Sequence, residues 1–501
     1  MRSLAVILSL AVVPLLAAAT PAFGSRQTIG PLPDVLPVGG VTTLTLRAQA
    51  DRFGHARFVY RDSFVPPTIR VVPGGRLAIT LVNRLPLHSS EQCWAASGMP
   101  GPCMDMTNLH FHGMEVSPHY GQDDILTMLA APGQTLRYDV RIPRDVAPGL
   151  YWYHTHPHHE SDRQALDGMS GAIVVEGISR YVPELRTMPE RILVLRTTEF
   201  AKDATLVSAM RRLDVAEGDC RTEGETPDQL FTVNGAMRPT IAIAPGERQF
   251  WRIVNASADR YTDLRLDGST LQVVALDGEP FAVHDPRHPI RTLRHIVLPP
   301  AGRVEAIVTG PPAGIPAALR MHCVDTGPDG DPDPAQVLAD ISPQHVALSP
   351  EPDSATAVPP ITRTPDLSPI EHGRPKFTVT FTEHGHLFFI NGRTFAMDAP
   401  PLTTVRVGSY VHWRVVNRTH EIHPFHIHQV HFLTYAVNGH PVPHPVWTDT
   451  MNVPLEQSID VVLAANDVGI AGMSVFHCHI LSHEDKGMMA KVLFTPRASS
   501  R

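Results

Sequence analysis

The 501-residue chain predicts an all-β protein of consecutive β-sandwich domains, on three observations. Proline is abundant, at 48 residues, well above its usual share of about 5%, which suits many strands joined by irregular loops better than long helices. Segments such as Thr42 to Arg47 and Arg76 to Val82 alternate apolar and polar side chains with the two-residue period of a half-buried strand, and turns such as Val72-Pro73-Gly74-Gly75 break them. A phrase also recurs: Arg76 to Asn83 (RLAITLVN), Glu247 to Asn255 (ERQFWRIVN) and Ser409 to Asn417 (SYVHWRVVN) each follow a turn and close on Asn. Their spacing, roughly 160 to 170 residues, is about one domain, so the chain reads as three copies of one sandwich.

The elements follow in order. Met1-Arg2-Ser3, the apolar stretch Leu4 to Ala19 and the small residues around Ala22 and Gly24 read as the charged region, apolar region and cleavage site of a signal peptide over residues 1–24. The apolar run falls short of the roughly 20 residues that span a bilayer and contains Pro14, so stable membrane insertion is not expected. Arg2 stands alone, without a twin-arginine pattern. The mature protein is then periplasmic or extracellular. The first sandwich occupies 25–180, a loop near Gly177 to Pro189 leads into the second at 181–348, a proline-rich linker runs over 349–375, and the third covers 376–501. Asp325 to Pro334 lacks the spacing and closing Glu of an EF-hand and reads as a solvated turn. The net charge of -8, with no lysine or arginine run, draws the chain neither to nucleic acid nor to an anionic membrane.

Cysteines stand at 93, 103, 220, 323 and 478. An odd count in an exported protein leaves one thiol for another task, and Cys478 is the candidate. The other four can form two disulfides; Cys93 with Cys103 across a short Gly/Pro loop, and Cys220 with Cys323, is the preferred pairing, although the sequence does not choose between connectivities.

The chemistry is carried by His477-Cys478-His479, continued by His483-Glu484 and Gly487-Met488. Successive side chains on a strand point to opposite faces, so His477 and His479 look one way and Cys478 the other. One short strand thereby serves two metal sites. A thiolate joined by imidazole and a weak, long Met bond is the ligand set of a blue copper centre. Three further motifs each place two histidines one residue apart: His110-Phe111-His112, His154-Thr155-His156 and His426-Ile427-His428. On a strand such a pair aims both imidazoles at one face about 6 to 7 Å apart, suited to neighbouring metal ions. His423 lies three residues before His426 and falls on the opposite face if the strand stays regular through Pro424. It is thus free to join Cys478, His483 and Met488, leaving the eight paired histidines as a cluster on the far side.

These motifs resemble the multicopper oxidases, with all four copper motifs in the family order over nearly the whole mature chain. The resemblance implies three cupredoxin-like Greek-key sandwiches and four copper ions per chain. It implies a type 1 copper on His423, Cys478 and His483 with Met488 axial, and a type 2 copper on His110 and His426. One type 3 copper falls to His112, His154 and His479, the other to His156, His428 and His477. Met in place of Leu or Phe at the axial position implies a lower or moderate potential. The implied reaction passes single electrons from a donor, through the exposed edge of His483, to dioxygen, which is reduced to water. Proton delivery into a buried site needs carboxylates; Glu484 is the first candidate and Asp124 the second, with Asp123 left open.

The expected donor is a phenol or aromatic amine, as for a laccase. Oxidation of Cu(I), Mn(II) or Fe(II) is the alternative; the 16 methionines form no Met-rich run of the kind that relatives devoted to Cu(I) often carry. A non-catalytic scaffold is disfavoured because every ligand is present, and a nitrite reductase because it lacks these paired motifs in one chain. His158 and His159 read as surface residues or supports of the ligands. His420, His431, His440 and His444 read as residues of exposed polar loops, with an extra metal ion as the other reading. Replacing Cys478 with Ser is expected to abolish the intense blue absorption and the oxidase activity while leaving the fold intact, as checked by visible absorption, oxygen uptake and circular dichroism; an active Cys478→Ser enzyme contradicts this ligand set.

Overall fold

The computed structural model describes residues 27–86, 105–199, 228–331, 333–352 and 374–496. The signal-like segment, Cys93, Cys103, Cys220 and residues 353–373 of the expected linker lie outside the described residues. Six sheets pair into three sandwiches along the chain. In the first, a four-stranded sheet (Ala56–Val59, Val41–Ala50, Arg76–Arg84, Thr135–Arg141) faces a five-stranded one ending in Gly149–His154 and His110–His112. The second and third each pack a seven-stranded sheet on a five-stranded one. Apolar side chains from both sheets fill each interior: Leu46, Phe58 and Phe111 in the first, Trp251, Ile253 and Leu319 in the second, Phe381, Trp413 and Phe476 in the third.

The recurring phrase occupies the same place three times. Arg76–Arg84, Arg248–Asn255 and Ser409–Asn417 each pair parallel with an earlier strand and antiparallel with a later one. The closing Asn explains why the phrase ends there. Asn83 Nδ2 donates to the carbonyls of Asp105 and Ala130 while its Oδ1 accepts from Leu85 N. Asn255 donates to Arg260 O and Leu298 O and accepts from Ser257 N, and Asn417 donates to Glu421 O and Val453 O and accepts from Thr419 N. In the second and third sandwiches this one buried amide satisfies the bend after its own strand and ties it to a strand of the opposite sheet.

The sandwiches meet through both apolar and charged contacts. Leu150, Trp152 and Val174 of the first pack on Ile192, Val194 and Val254 of the second, and Ile125 of the first touches Val475 and Met489 of the third. Among the described residues no helix is long and apolar enough to cross a membrane. Replacing Asn255 with Ala strips buried carbonyls of their donor and is expected to cost about 3 kcal/mol, the upper end for one lost buried partner; calorimetry should show a lower unfolding midpoint for the variant.

Candidate metal centre

Two strand pairs build the site. His110–His112 runs antiparallel to Gly149–His154, with His110 opposite His154. His423–Ile427 runs antiparallel to Gly472–Cys478, with His426 opposite His477 and Phe425 opposite Cys478. Strand alternation does the sorting. Phe111 and Tyr153 turn into the first core and Phe425, Ile427 and Cys478 into the third, so the histidines on the opposite faces meet between the first and third sandwiches. His423 takes the same face as Phe425 and joins Cys478, as the regular strand requires.

At the cysteine, three ligand atoms converge. Cys478 Sγ lies 3.4 Å from His423 Nδ1 and 3.9 Å from His483 Nδ1, and the two Nδ1 atoms are 3.4 Å apart. Met488 is fully buried in the same core. The tautomer of His423 follows from its neighbours: Thr419 Oγ1 donates to Asn417 Oδ1 and so accepts from His423 Nε2 at 2.8 Å, leaving the Nδ1 lone pair for the metal. The closing Asn of the third repeat thus orients a ligand, whereas in the second repeat Ser257 bonds Asn255 with no histidine beyond it. Burial pushes the Cys478 thiol well above its usual range, so binding a metal there displaces a proton.

The paired histidines form one buried cluster. His110 stacks on His428 at 3.8 Å and His112 on His426 at 3.9 Å between ring centroids. His156, His428 and His477 bring their Nε2 atoms together, with His477 Nε2 3.4 Å from His156 and 3.1 Å from His428. For several of these rings the outer nitrogen has a partner that decides which inner nitrogen is bare. His154 Nδ1 donates to Thr155 O, His477 Nδ1 to Cys478 O and His426 Nδ1 to Asp449 O, at 2.7 to 2.8 Å. His110 Nδ1 meets both oxygens of Asp123. His112 is reversed: its Nε2 faces Asp449 Oδ1 at 3.0 Å, so its Nδ1 points inward.

The buried nitrogens left without a hydrogen bond include His110 Nε2, His112 Nδ1, His154 Nε2, His426 Nε2 and both nitrogens of His479. So many orphaned lone pairs facing one another are costly unless metal ions satisfy them. Burial pushes His154 down to about 3 and His477 to about 4, and holds His110, His112, His426, His428 and His479 well below the ordinary imidazole range. Neutral imidazoles are the form that ligates. The donors present therefore fit copper at both centres.

Besides Asp449, two carboxylates reach the cluster. Glu484 is fully buried, with Oε1 3.4 Å from His156 Nδ1 and Oε2 3.6 Å from His477 Nδ1, and Ser161 Oγ donates to it. Asp123, not Asp124, is the second. Asp123 is buried against His110 and accepts from Phe111 N and Gln429 Nε2, while the Asp124 carboxylate accepts from Leu126 and Thr127 in its own turn. One residue's difference in a turn separates a buried carboxylate from one spent on local capping. Burial raises both Asp123 and Glu484 well above the usual carboxylate range.

Two further expectations are corrected. His483 is only 7% exposed: Phe388 stacks on its ring at 3.8 Å, and its Nε2 meets the buried Glu421 Oε1 at 3.4 Å, so little of the imidazole edge is open. His431 is buried, whereas His420, His440 and His444 are exposed. His158 packs against Phe395, and His159 bonds Asp485, both away from the ligand atoms. Cys478 is a free, buried cysteine. Sequence reasoning missed Asp449, which supports His112 and His426 and is clamped by Arg303 from the second sandwich, and missed Glu421. Neither carries a motif; the pairing of His426 with Thr450 across two strands is what brings Asp449 in.

Models of the multicopper oxidase family match residues 103–179, 151–312 and 363–498, and together they cover more than half of the chain. The chain is similar to the multicopper oxidase mco of Staphylococcus haemolyticus, 23% identical over 87% of this chain and 83% of that protein. It is similar to a laccase of Bacillus stratosphericus at 24% identity, covering 86% of this chain and 89% of that one. Its fold is similar to that of a multicopper oxidase from Campylobacter jejuni described as a metallo-oxidase, with a TM-score of 0.69 at 23% identity over 94% and 95% of the two chains. With its three cupredoxin-like sandwiches, its cysteine site and its histidine cluster, the chain belongs to the multicopper oxidase family.

Proposed function

We propose that this copper-dependent oxidase holds a type 1 copper on His423, Cys478, His483 and Met488, a type 2 copper on His110 and His426, and two type 3 coppers on His112, His154, His479 and on His156, His428, His477. Copper held by these residues would supply one-electron oxidation of a phenol or aromatic amine at the cysteine site and four-electron reduction of dioxygen to water at the cluster. The observation that carries the reading is the opposed placement of Cys478 and His477 on one strand, with bare imidazole nitrogens converging on the far side.

The remaining chemistry belongs to the chain. The backbone runs directly from Cys478 into His477 and His479, and the hydrogen bond from His477 Nδ1 to Cys478 O at 2.8 Å offers a second short path between the two centres. Glu484, touching one ligand from each of the first and third sandwiches, is positioned to relay protons to the cluster. Asp123 does the same beside His110. Asp449, held by Arg303, fixes His112 and His426 in the tautomers that face the metal. Export through the signal segment 1–24 to the periplasm or medium, and pairing of Cys220 with Cys323 and Cys93 with Cys103, complete the reading.

Glu421 favours a second reading, oxidation of a metal ion. Its carboxylate lies 3.4 Å from His483 Nε2 and 3.7 Å from His423 Nε2. Beside it, Asp329 and Glu456 gather around His420 on the surface. A carboxylate touching both ligand imidazoles, under an anionic rim, suits a cationic donor.

Two measurements test these roles. Glu484→Gln is expected to slow reoxidation by dioxygen more than reduction by the donor in stopped-flow absorption; unchanged reoxidation contradicts its proton role. Glu421→Gln removes one charged contact and is expected to lower kcat/KM for Cu(I), Fe(II) or Mn(II) about tenfold if the donor is a metal ion. With a phenol as the true donor, oxygen uptake on the copper-loaded enzyme stays faster with the phenol than with any of these ions, and the metal-ion reading fails.

A further inference from the structure

Outside the histidine cluster, metal-ligating side chains from all three sandwiches meet at one point. Glu115 follows the strand His110–His112 of the first, Glu279 belongs to Glu279–Pro280 of the second, and His431 directly precedes Phe432–Val437 of the third. His431 Nδ1 lies 3.5 Å from Glu115 Oε1 and 3.8 Å from Glu279 Oε1, beside a cavity of about 70 Å³ that all three line.

The other nitrogen of His431 is already engaged. His431 Nε2 is 3.0 Å from the carbonyl of Asp277, which only accepts, so Nε2 carries the hydrogen. Nδ1, on the other side of the ring, faces two carboxylates. His431 is 3% exposed, and its Nδ1 makes no hydrogen bond. Two carboxylates facing one buried imidazole nitrogen call for positive charge between them, a proton or a metal ion. Separations of 3.5 and 3.8 Å are long for hydrogen bonds but suit donors that share one ion at about 2.0 to 2.2 Å each.

We infer that Glu115, Glu279 and His431 form a further divalent-cation site, separate from the cysteine and paired-histidine centres, for a borderline ion such as Zn²⁺ or Co²⁺ that accepts mixed imidazole and carboxylate ligands. His284 Nε2 holds the outer oxygen of Glu279 at 2.7 Å, leaving the inner oxygen to face His431. The surroundings favour positive charge. Burial alone would lower His431, yet Glu115, Glu279 and Asp449 raise it to about 10. An ion here ties the three sandwiches together and sits one residue from Asp449, whose Oδ2 is 3.7 Å from His431 Nε2.

A proton on Nδ1, making His431 an imidazolium, fills the same gap, and Co²⁺ separates the two. The copper-loaded enzyme is dialysed against Co²⁺, with bound cobalt, its visible absorption and the unfolding midpoint as readouts. One saturable equivalent beyond the copper is expected, with a raised midpoint because the ion binds only the folded state. Glu115→Gln and Glu279→Gln are each expected to weaken Co²⁺ binding about tenfold or more, while the blue absorption of the cysteine site is unchanged. No saturable Co²⁺ binding, or binding untouched by both variants, overturns the site and leaves His431 as a structural imidazolium. Loss of the blue band would instead report on the copper ligands, so the two failures are distinguishable.

Discussion

The two-residue period of a β-strand is the constraint on which the rest of this molecule depends. It obliges neighbouring side chains on Gly472–Cys478 to serve opposite faces, so Cys478 is packed in the third core while His477 faces the first sandwich. The same rule on His423–Ile427 sends His423 to the cysteine and His426 to the cluster. Slipping either strand by one residue would exchange the two sets and destroy both centres at once. The apolar residues Phe425, Ile427 and Phe476, buried on the core face, therefore set the ligand geometry as well as the packing.

Buried charge fixes the sandwiches against one another. Arg70 of the first bridges Glu176 and Glu190, and Arg252 of the second bridges Glu190, Glu305 and Glu351. Glu305 also accepts from Leu150 N, so the network reaches the strand that ends in His154. Arg303 repeats the device nearer the cluster, joining Asp277 of its own sandwich to Asp449 of the third. Taking such groups out of water is expensive, and their attraction roughly offsets that cost. Their contribution is orientation: the guanidinium fork of Arg303 holds both oxygens of Asp449, and that fixed carboxylate turns Oδ1 to His112 Nε2.

The same economy of parts runs through the repeats. The closing Asn satisfies the bend after its strand in all three sandwiches, yet only in the third does the chain of hydrogen bonds continue through Thr419 to a ligand. A device that folds each sandwich has been extended, by one hydroxyl and one histidine, into a device that sets a tautomer. Glu421 lies in the same short segment, held between its own backbone bond to Asn417 and a loop of the second sandwich that contacts Ile422 through Tyr261 and Thr326. The surroundings of Glu421 are thus composed jointly by the second and third sandwiches.

By itself the sequence determined the all-β class, the threefold repeat and the separation of ligands into a cysteine site and a histidine cluster, because each depends on local period and spacing. Even the assignment of His423 to the cysteine followed from strand alternation alone. Which of Asp123 and Asp124 meets His110, how far Phe388 and Glu421 cover His483, and that His431 is buried were decided only by tertiary structure. Those outcomes rest on contacts between residues far apart in the chain, such as Asp449 with His112 and Arg303. Spacing carries information about residues that share a strand; it carries none about which carboxylate a neighbouring sandwich will bury against them.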